Sequence, residues 1–195
     1  MSSSPEGATS AAALLARVRP RIGSAGVLLV DGRSGSGKTT LAAWLAPRLG
    51  ARVLHLEDLY CGWDGLDAAA EALADHVLPA FAAGRPARWP TWDWATGRRA
   101  GTGGLRPGGP LVVEGCGALT SASRRFAAAA VVLDVAASVR TARIARRDPP
   151  SALPGHRRWA LQEQRHALRH PPVALADLVL RGGARIPEGP SGGLR

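Results

Sequence analysis

Four short apolar runs mark the chain, Val27 to Val30, Leu111 to Val113, Val131 to Leu133 and Leu178 to Leu180, and a fifth strand reads over Arg52 to Leu56, apolar at Val53, Leu54 and Leu56. Continuous runs of this length read as strands buried on both faces of a parallel sheet. Between them, apolar residues recur every three or four positions. Leu41, Trp44, Leu45 and Leu49 predict a helix over 39–49. Leu66, Leu73, Val77, Leu78 and Phe81 predict another over 66–81. Further helices are predicted over 138–147 and over 157–170, the last stopped by Pro171-Pro172. A short helix over 11–19 leads into the first strand. Three prolines make 148–155 a loop, and 84–109, rich in Gly, Pro, Arg and Trp, reads as an excursion or small hairpin outside the sheet. Alternating strands and helices predict an α/β fold in three layers, with a mainly parallel five-stranded sheet and helices on both faces. Residues 1–22 read as an N-terminal extension, 23–181 as one domain and 182–195 as a flexible Gly/Pro-rich tail.

Such sheets bind ligands beyond the carboxyl ends of their strands. That edge gathers 32–39, 57–64 and 114–117. The first of these is Gly32-Arg33-Ser34-Gly35-Ser36-Gly37-Lys38-Thr39. Its G-x-x-x-x-G-K-[ST] spacing is that of the P-loop of nucleoside triphosphatases (NTPases). There, backbone N–H groups wrap phosphates, the lysine reaches the outer phosphates and the hydroxyl ligates Mg²⁺. A strand before it and a helix after it are the context this motif needs. Lys38 is also the one lysine of the chain, beside 24 arginines. A position that keeps lysine against such a drift wants a compact ammonium rather than a planar fork. Gly32, Ser34, Gly35, Ser36, Gly37, Lys38, Thr39 and Thr40 are the expected ATP-binding residues.

The net charge of +10 arises from dispersed arginines. It reads as compositional bias, so no specific nucleic-acid partner is expected. Cys61 and Cys116 are too far apart for a metal knuckle or a disulfide framework. No apolar run reaches the roughly 18 residues of a membrane span, and 1–26 lacks a secretory pattern. A cytoplasmic protein without a membrane partner is expected. His166 and His170 have metal-chelating spacing but no third ligand in view, and read as a solvated helix end.

Glu57 and Asp58 follow the second strand, where a carboxylate can accept a proton from an attacking hydroxyl or hold Mg²⁺ through water. Glu114 ends the third strand and is a metal-side or acceptor-side acid. The expected metal set is Thr39, Glu57 and Glu114. Trp63, Trp92 and Trp94 offer flat faces on which a planar acceptor can stack.

Several short segments, in order behind the P-loop, resemble the uridine kinase family. Glu57-Asp58-Leu59-Tyr60 is similar to its D-x-F-Y segment, and Pro90-Thr91-Trp92-Asp93-Trp94 to its nucleoside-binding P-x-Y-D-F. Leu111 to Gly115 resembles its strand ending in E-G, and Arg143 to Asp148 its R-I-x-R-D lid. The likeness runs from about Val27 to Leu180. Tyr60-Cys61-Gly62-Trp63-Asp64-Gly65-Leu66 also resembles a group of small bacterial ATP-binding proteins related to that family. The resemblance implies Glu57 as catalytic base with Lys38, Asp58 being the alternative. It also implies Tyr60 and Asp93 beside the acceptor, Arg143 and Arg147 over the ATP phosphates, a lid over 143–158 and an acceptor side over 84–109. Two departures stand out: the family's base is Asp, and its base-reading histidine corresponds to Gly97 here.

The implied activity is an ATP- and Mg²⁺-dependent phosphotransfer to a hydroxyl of a small molecule, for instance a nucleoside such as uridine. A phosphate acceptor would instead need Arg85, Arg88, Arg98 and Arg99 in the acceptor pocket. The remaining alternative is a non-metabolic ATPase. No guanine-reading N-K-x-D segment favours a GTPase switch.

Overall fold

A computed structural model describes residues 10–185. Helix α1 (Ala11–Ile22) precedes strand β1 (Val27–Gly32), and α2 (Lys38–Leu49) leads to β2 (Arg52–His55). Then come α3 (Leu66–Ala72), α4 (Leu78–Ala82), the strands β3 (Ala87–Asp93) and β4 (Arg98–Leu105), and β5 (Leu111–Glu114). The chain continues through α5 (Ser121–Arg124), β6 (Ala129–Asp134), α6 (Ala137–Arg147), α7 (Leu153–Arg169), α8 (Pro172–Leu175) and β7 (Leu178–Arg181).

The five expected strands form one parallel sheet in the order β2-β5-β1-β6-β7. All six residues of β1 are buried, as a central strand covered on both faces requires. Alternate residues point to opposite sides. Val27 and Leu29 join Val113, Val132 and residues of α3, α4 and α7 in one core. Leu28 and Val30 join Val112, Val131 and residues of α1 and α2 in the other. The fold is therefore the expected three-layer α/β.

Several elements depart from their expected bounds. The helix expected over 66–81 is interrupted by a π turn at Leu73–Val77. Pro79 lacks the N–H that would continue the α-helical ladder, so the turn widens just before it. The region 84–109 is an antiparallel hairpin of β3 and β4, separate from the main sheet. The proline-rich 148–155 is only partly loop: a 3₁₀ turn spans Pro150–Ala152, and α7 starts at Leu153, with Pro154 in its first turn, where proline is tolerated. Of the tail, 186–195 lies outside the described residues, as does 1–9 of the extension. Residues 182–185 are held rather than frayed: Gly182 N–H donates to Asp134 O at 2.9 Å, and Ala11 N–H to Arg185 O at 3.0 Å.

Candidate active site

Register sets the site. Pairing of β1, β2 and β5 aligns Val30 and His55 with Glu114, so β2 and β5 end together and β1 runs on to Gly32, at the start of the glycine loop. Beyond β1 the chain turns through the glycines and enters α2. Gly37 caps that helix with φ of 97°, a conformation open to glycine and strained for other residues. The first N–H groups of α2 have no intrahelical acceptor and face the turn, which makes the loop a cradle for an anion.

Lys38 is buried beneath this cradle. Its Nζ donates to Arg33 O at 3.2 Å and lies 3.4 Å from Cys116 Sγ. Burial favours the neutral amine, but Cys116, Asp31, Glu114 and Glu163 outweigh it and hold the ammonium above its ordinary range. Asp31, at the end of β1, accepts N–H bonds from Gly32 (2.5 Å), Leu119 (2.7 Å) and Gly117 (3.3 Å). It thereby ties the loop after β5 to the P-loop. Burial raises its pKa despite those bonds and the nearby Lys38.

Thr39 Oγ1 donates to Glu114 Oε1 at 3.1 Å, and His55 Nδ1 lies 2.6 Å from the same oxygen. Glu114 is buried, so its carboxylate meets these neighbours rather than bulk water. No cluster of three His, Cys, Asp or Glu among the described residues could hold a metal ion. A Mg²⁺ at Thr39 and Glu114 would therefore draw most of its ligands from phosphate and water, its usual habit in phosphoryl-transfer sites. The cradle, the ammonium and this hydroxyl–carboxylate pair fit Mg²⁺ and a nucleoside triphosphate.

One cavity of about 730 Å³ joins these groups. Of the expected site residues, Ser34, Gly35, Gly37, Lys38, Thr39, Thr40, Glu57, Tyr60, Trp63, Trp94, Glu114, Arg143 and Arg147 line it. Gly32, the last residue of β1, and the buried Ser36 do not line it. Asp58 is exposed and outside the cavity. Trp92 is also outside, packing on Gly62. Asp93 is spent on the hairpin turn: its carboxylate accepts from Ala95 N–H (2.8 Å), Thr96 N–H (3.3 Å) and Thr96 Oγ1 (2.7 Å). The hydrogen bonds from Thr96 and Ala95 hold it below the usual carboxylate range.

The wall of the cavity away from the P-loop is aromatic. Tyr60 donates to Cys116 O at 2.9 Å and tilts against Trp159, ring centres 4.6 Å apart. Burial pushes its phenol well above its ordinary pKa. Trp63 meets Trp94 edge-on at 5.4 Å and His156 at 4.9 Å. On α6, Arg143 donates to Gly35 O (3.2 Å) and Ser36 O (3.3 Å). Arg147 is turned instead to Asp148, with two bonds of 2.8 Å. His156 Nε2 lies 2.7 Å from Asp148 Oδ2.

Four participants carry no sequence motif: His55, Cys116, Trp159 and Glu163. Glu163 is buried and accepts from Ser34 N–H (2.6 Å) and Arg33 Nε (3.0 Å). The β2–β5 pairing could have flagged His55, one residue before the end of its apolar run. Nothing local flags the others. His166 corrects the reading of a solvated helix end: it is buried, with Nδ1 2.7 Å from Asp67 Oδ1, while His170 packs beside it.

No protein-family model matches the sequence, and no curated protein matches it either. Solved structures do. A "possible uridine kinase" from Bacillus stearothermophilus shares 21% identity at a TM-score of 0.59, over 84% of this chain and 99% of that one. The chain has a uridine kinase-like P-loop kinase fold. A protein assigned as a fructose transport system kinase, from Silicibacter sp. TM1040, aligns at a TM-score of 0.60 and 18% identity, over 88% of this chain and 98% of that one. Among the described residues, no helix is long and apolar enough to cross a membrane.

Proposed function

We propose that the chain is an ATP-dependent kinase that phosphorylates a hydroxyl of a small molecule carrying a flat ring, a nucleoside such as uridine being one candidate. One observation carries this reading: a single cavity holds Lys38, Thr39 and Glu114 at one end and Glu57 with Tyr60, Trp63 and Trp94 at the other. When bound, ATP would supply the terminal phosphoryl group, with ADP as the leaving group, and Mg²⁺ would neutralise part of the phosphate charge. Lys38 and Arg143 add positive charge where negative charge builds up in the transition state. Thr39 and Glu114 hold the metal side. Glu57 accepts the proton that the acceptor hydroxyl loses as its oxygen bonds to phosphorus. Asp58, outside the cavity, is the weaker candidate for that role. Trp63 and Trp94 offer faces and edges to a ring, and Tyr60 closes the floor. Of the segment 143–158 expected as the lid, the end of α6 and the stretch 148–152 act as the moving part, and the hairpin within 84–109 contributes Trp94 to the acceptor side.

Arg85, Arg88, Arg98 and Arg99 do not line the cavity, which favours a hydroxyl over a phosphate acceptor. A coupled ADP-release screen over nucleosides, nucleotides, sugars and vitamins tests the reading. Ring-bearing alcohols should raise turnover above background. Turnover raised by monophosphates alone, or by nothing, would overturn it in favour of a phosphate acceptor or a simple ATPase.

A further inference from the structure

Glu163 sits in the middle of α7 and is 5% exposed, with its carboxylate packed against the back of the P-loop. A carboxylate withdrawn from water needs donors. This one has four. Oε1 accepts from Ser34 N–H at 2.6 Å, Trp159 Nε1 at 3.1 Å and Cys116 Sγ at 3.2 Å, and Oε2 accepts from Arg33 Nε at 3.0 Å. Two of these donors belong to the residues on which Lys38 rests, the carbonyl of Arg33 and the sulfur of Cys116. A thiol has one proton. With that proton given to Glu163, the sulfur is left as an acceptor for the ammonium. The other buried carboxylates are committed elsewhere: Asp31 to three backbone N–H groups, Glu114 to Thr39 and His55.

We infer that Glu163 is the positioning residue of Lys38 and, on the kinase reading, of the nucleotide that Lys38 would hold. One carboxylate fixes both seats of the lysine. It does so from a helix that also grips the acceptor side, since Gln162 donates to Trp63 O, Arg158 pairs with Asp64, and His166 and Arg169 pair with Asp67. The seat of Lys38 is therefore carried by the helix that holds the acceptor-side turn. Glutamine in place of Glu163 can still accept from Ser34 N–H, but its amide N–H₂ then confronts the Arg33 guanidinium, donor against donor.

The chain offers its own probe. Lys38 is the one lysine, so lysine labelled with ¹³C at Cε and ¹⁵N at Nζ gives one side-chain NMR signal. Glu163→Gln should shift that signal in the nucleotide-free protein, and Cys116→Ala should shift it too. Cys116→Ser, which keeps a donor and an acceptor, should shift it less than Cys116→Ala. An unmoved signal in Glu163→Gln, in a folded protein, would overturn the proposal. Should Glu163→Gln not fold, the ranking of Ser above Ala at Cys116 decides.

Calorimetry with Mg²⁺ and a non-hydrolysable ATP analogue provides the second readout. Glu163→Gln and Cys116→Ala should each weaken binding about 10-fold, and the double variant by about the same factor rather than about 100-fold, because the two act through one seat. A double variant that loses the full product sinks the shared seat. A wild-type signal that ignores the nucleotide analogue would remove the kinase reading, while the shift in Glu163→Gln would still decide the positioning.

Discussion

Lys38 occupies a seat made for a small cation. Its ammonium is buried between a backbone carbonyl and a sulfur, so a guanidinium would have to displace one of them. Lys38→Arg should therefore keep the fold and lose nucleotide affinity nearly as fully as Lys38→Ala, as read by calorimetric titration; wild-type binding by the arginine variant would contradict this. Glu57 belongs to the other end of the cavity. General-base assistance contributes about 10²–10⁴-fold, so Glu57→Gln should lower transfer to the acceptor by roughly that factor and leave ATP binding intact. Asp58→Asn should be milder, and the reverse order in single-turnover assays would move the role to Asp58. The two cysteines should differ sharply. Burial pushes the Cys116 thiol up to about 12, whereas Cys61 is half-buried at a turn. Thiols alkylate as thiolates, and a raised pKa starves Cys116 of thiolate at every pH below that value. At pH 8 iodoacetamide should modify Cys61 well before Cys116, with peptide mass spectrometry as the readout and urea abolishing the difference; equal native rates would contradict the burial of Cys116. The residues that were legible in the sequence are those in local motifs, Gly32 to Thr39 above all. Glu163 was not, because it reaches Ser34 across 129 positions and nothing near it in sequence signals the partner.

Helix α7 shows what periodicity gives and what it leaves out. Its core part was legible from apolar spacing and from the Pro171-Pro172 stop. Its start was not, because prolines that read as loop are compatible with a helix's first turn. The central strands β1, β5 and β6 were legible as continuous apolar runs, since burial on both faces leaves no polar alternation to confuse them, whereas β2 and β7 are half-buried edge strands. The interruption of the helix after β2 was hidden because periodicity in 66–81 survives a single widened turn. The role of Asp93 was hidden too: a short acid beside a glycine turn can cap that turn as readily as face a ligand, and here it does the former. At the start of α7 the packing is tight. A side chain at Gly155 would drive its Cβ into the Trp63 ring. Gly155→Ala should therefore cost about 1–3 kcal/mol as an overpacked contact, even though alanine is the better helix former. Urea unfolding measures this, and a stabilised variant would show that Trp63 has room to retreat.

Across the whole molecule, the elements differ in what they are fastened to. Arg143 on α6 already touches the P-loop. Helix α7 is held at both ends of the cavity, by Glu163 on the P-loop side and by Arg158, Gln162 and His166 on the acceptor side. Between them runs the short stretch 148–152, where Asp148 binds Arg147 and lies beside His156. The hydrogen bonds with Arg147 hold the Asp148 carboxyl below its ordinary range, so the pair is intact at neutral pH. Arg147 lines the cavity but its Nε–Nη2 fork is engaged by Asp148, so gripping an anion with that fork means giving up that partner. Closure is then a local exchange at the end of α6 rather than a swing of α7. Limited trypsinolysis separates the two motions. Mg²⁺ with a non-hydrolysable ATP analogue should slow cleavage after Arg146 and Arg147, where the helix end gains a ligand. Cleavage after Arg157 and Arg158 should change little, because α7 is docked before the nucleotide arrives. A large nucleotide effect at Arg157 and Arg158 would mean that α7 itself swings, and equal rates everywhere would mean that no segment closes over the site.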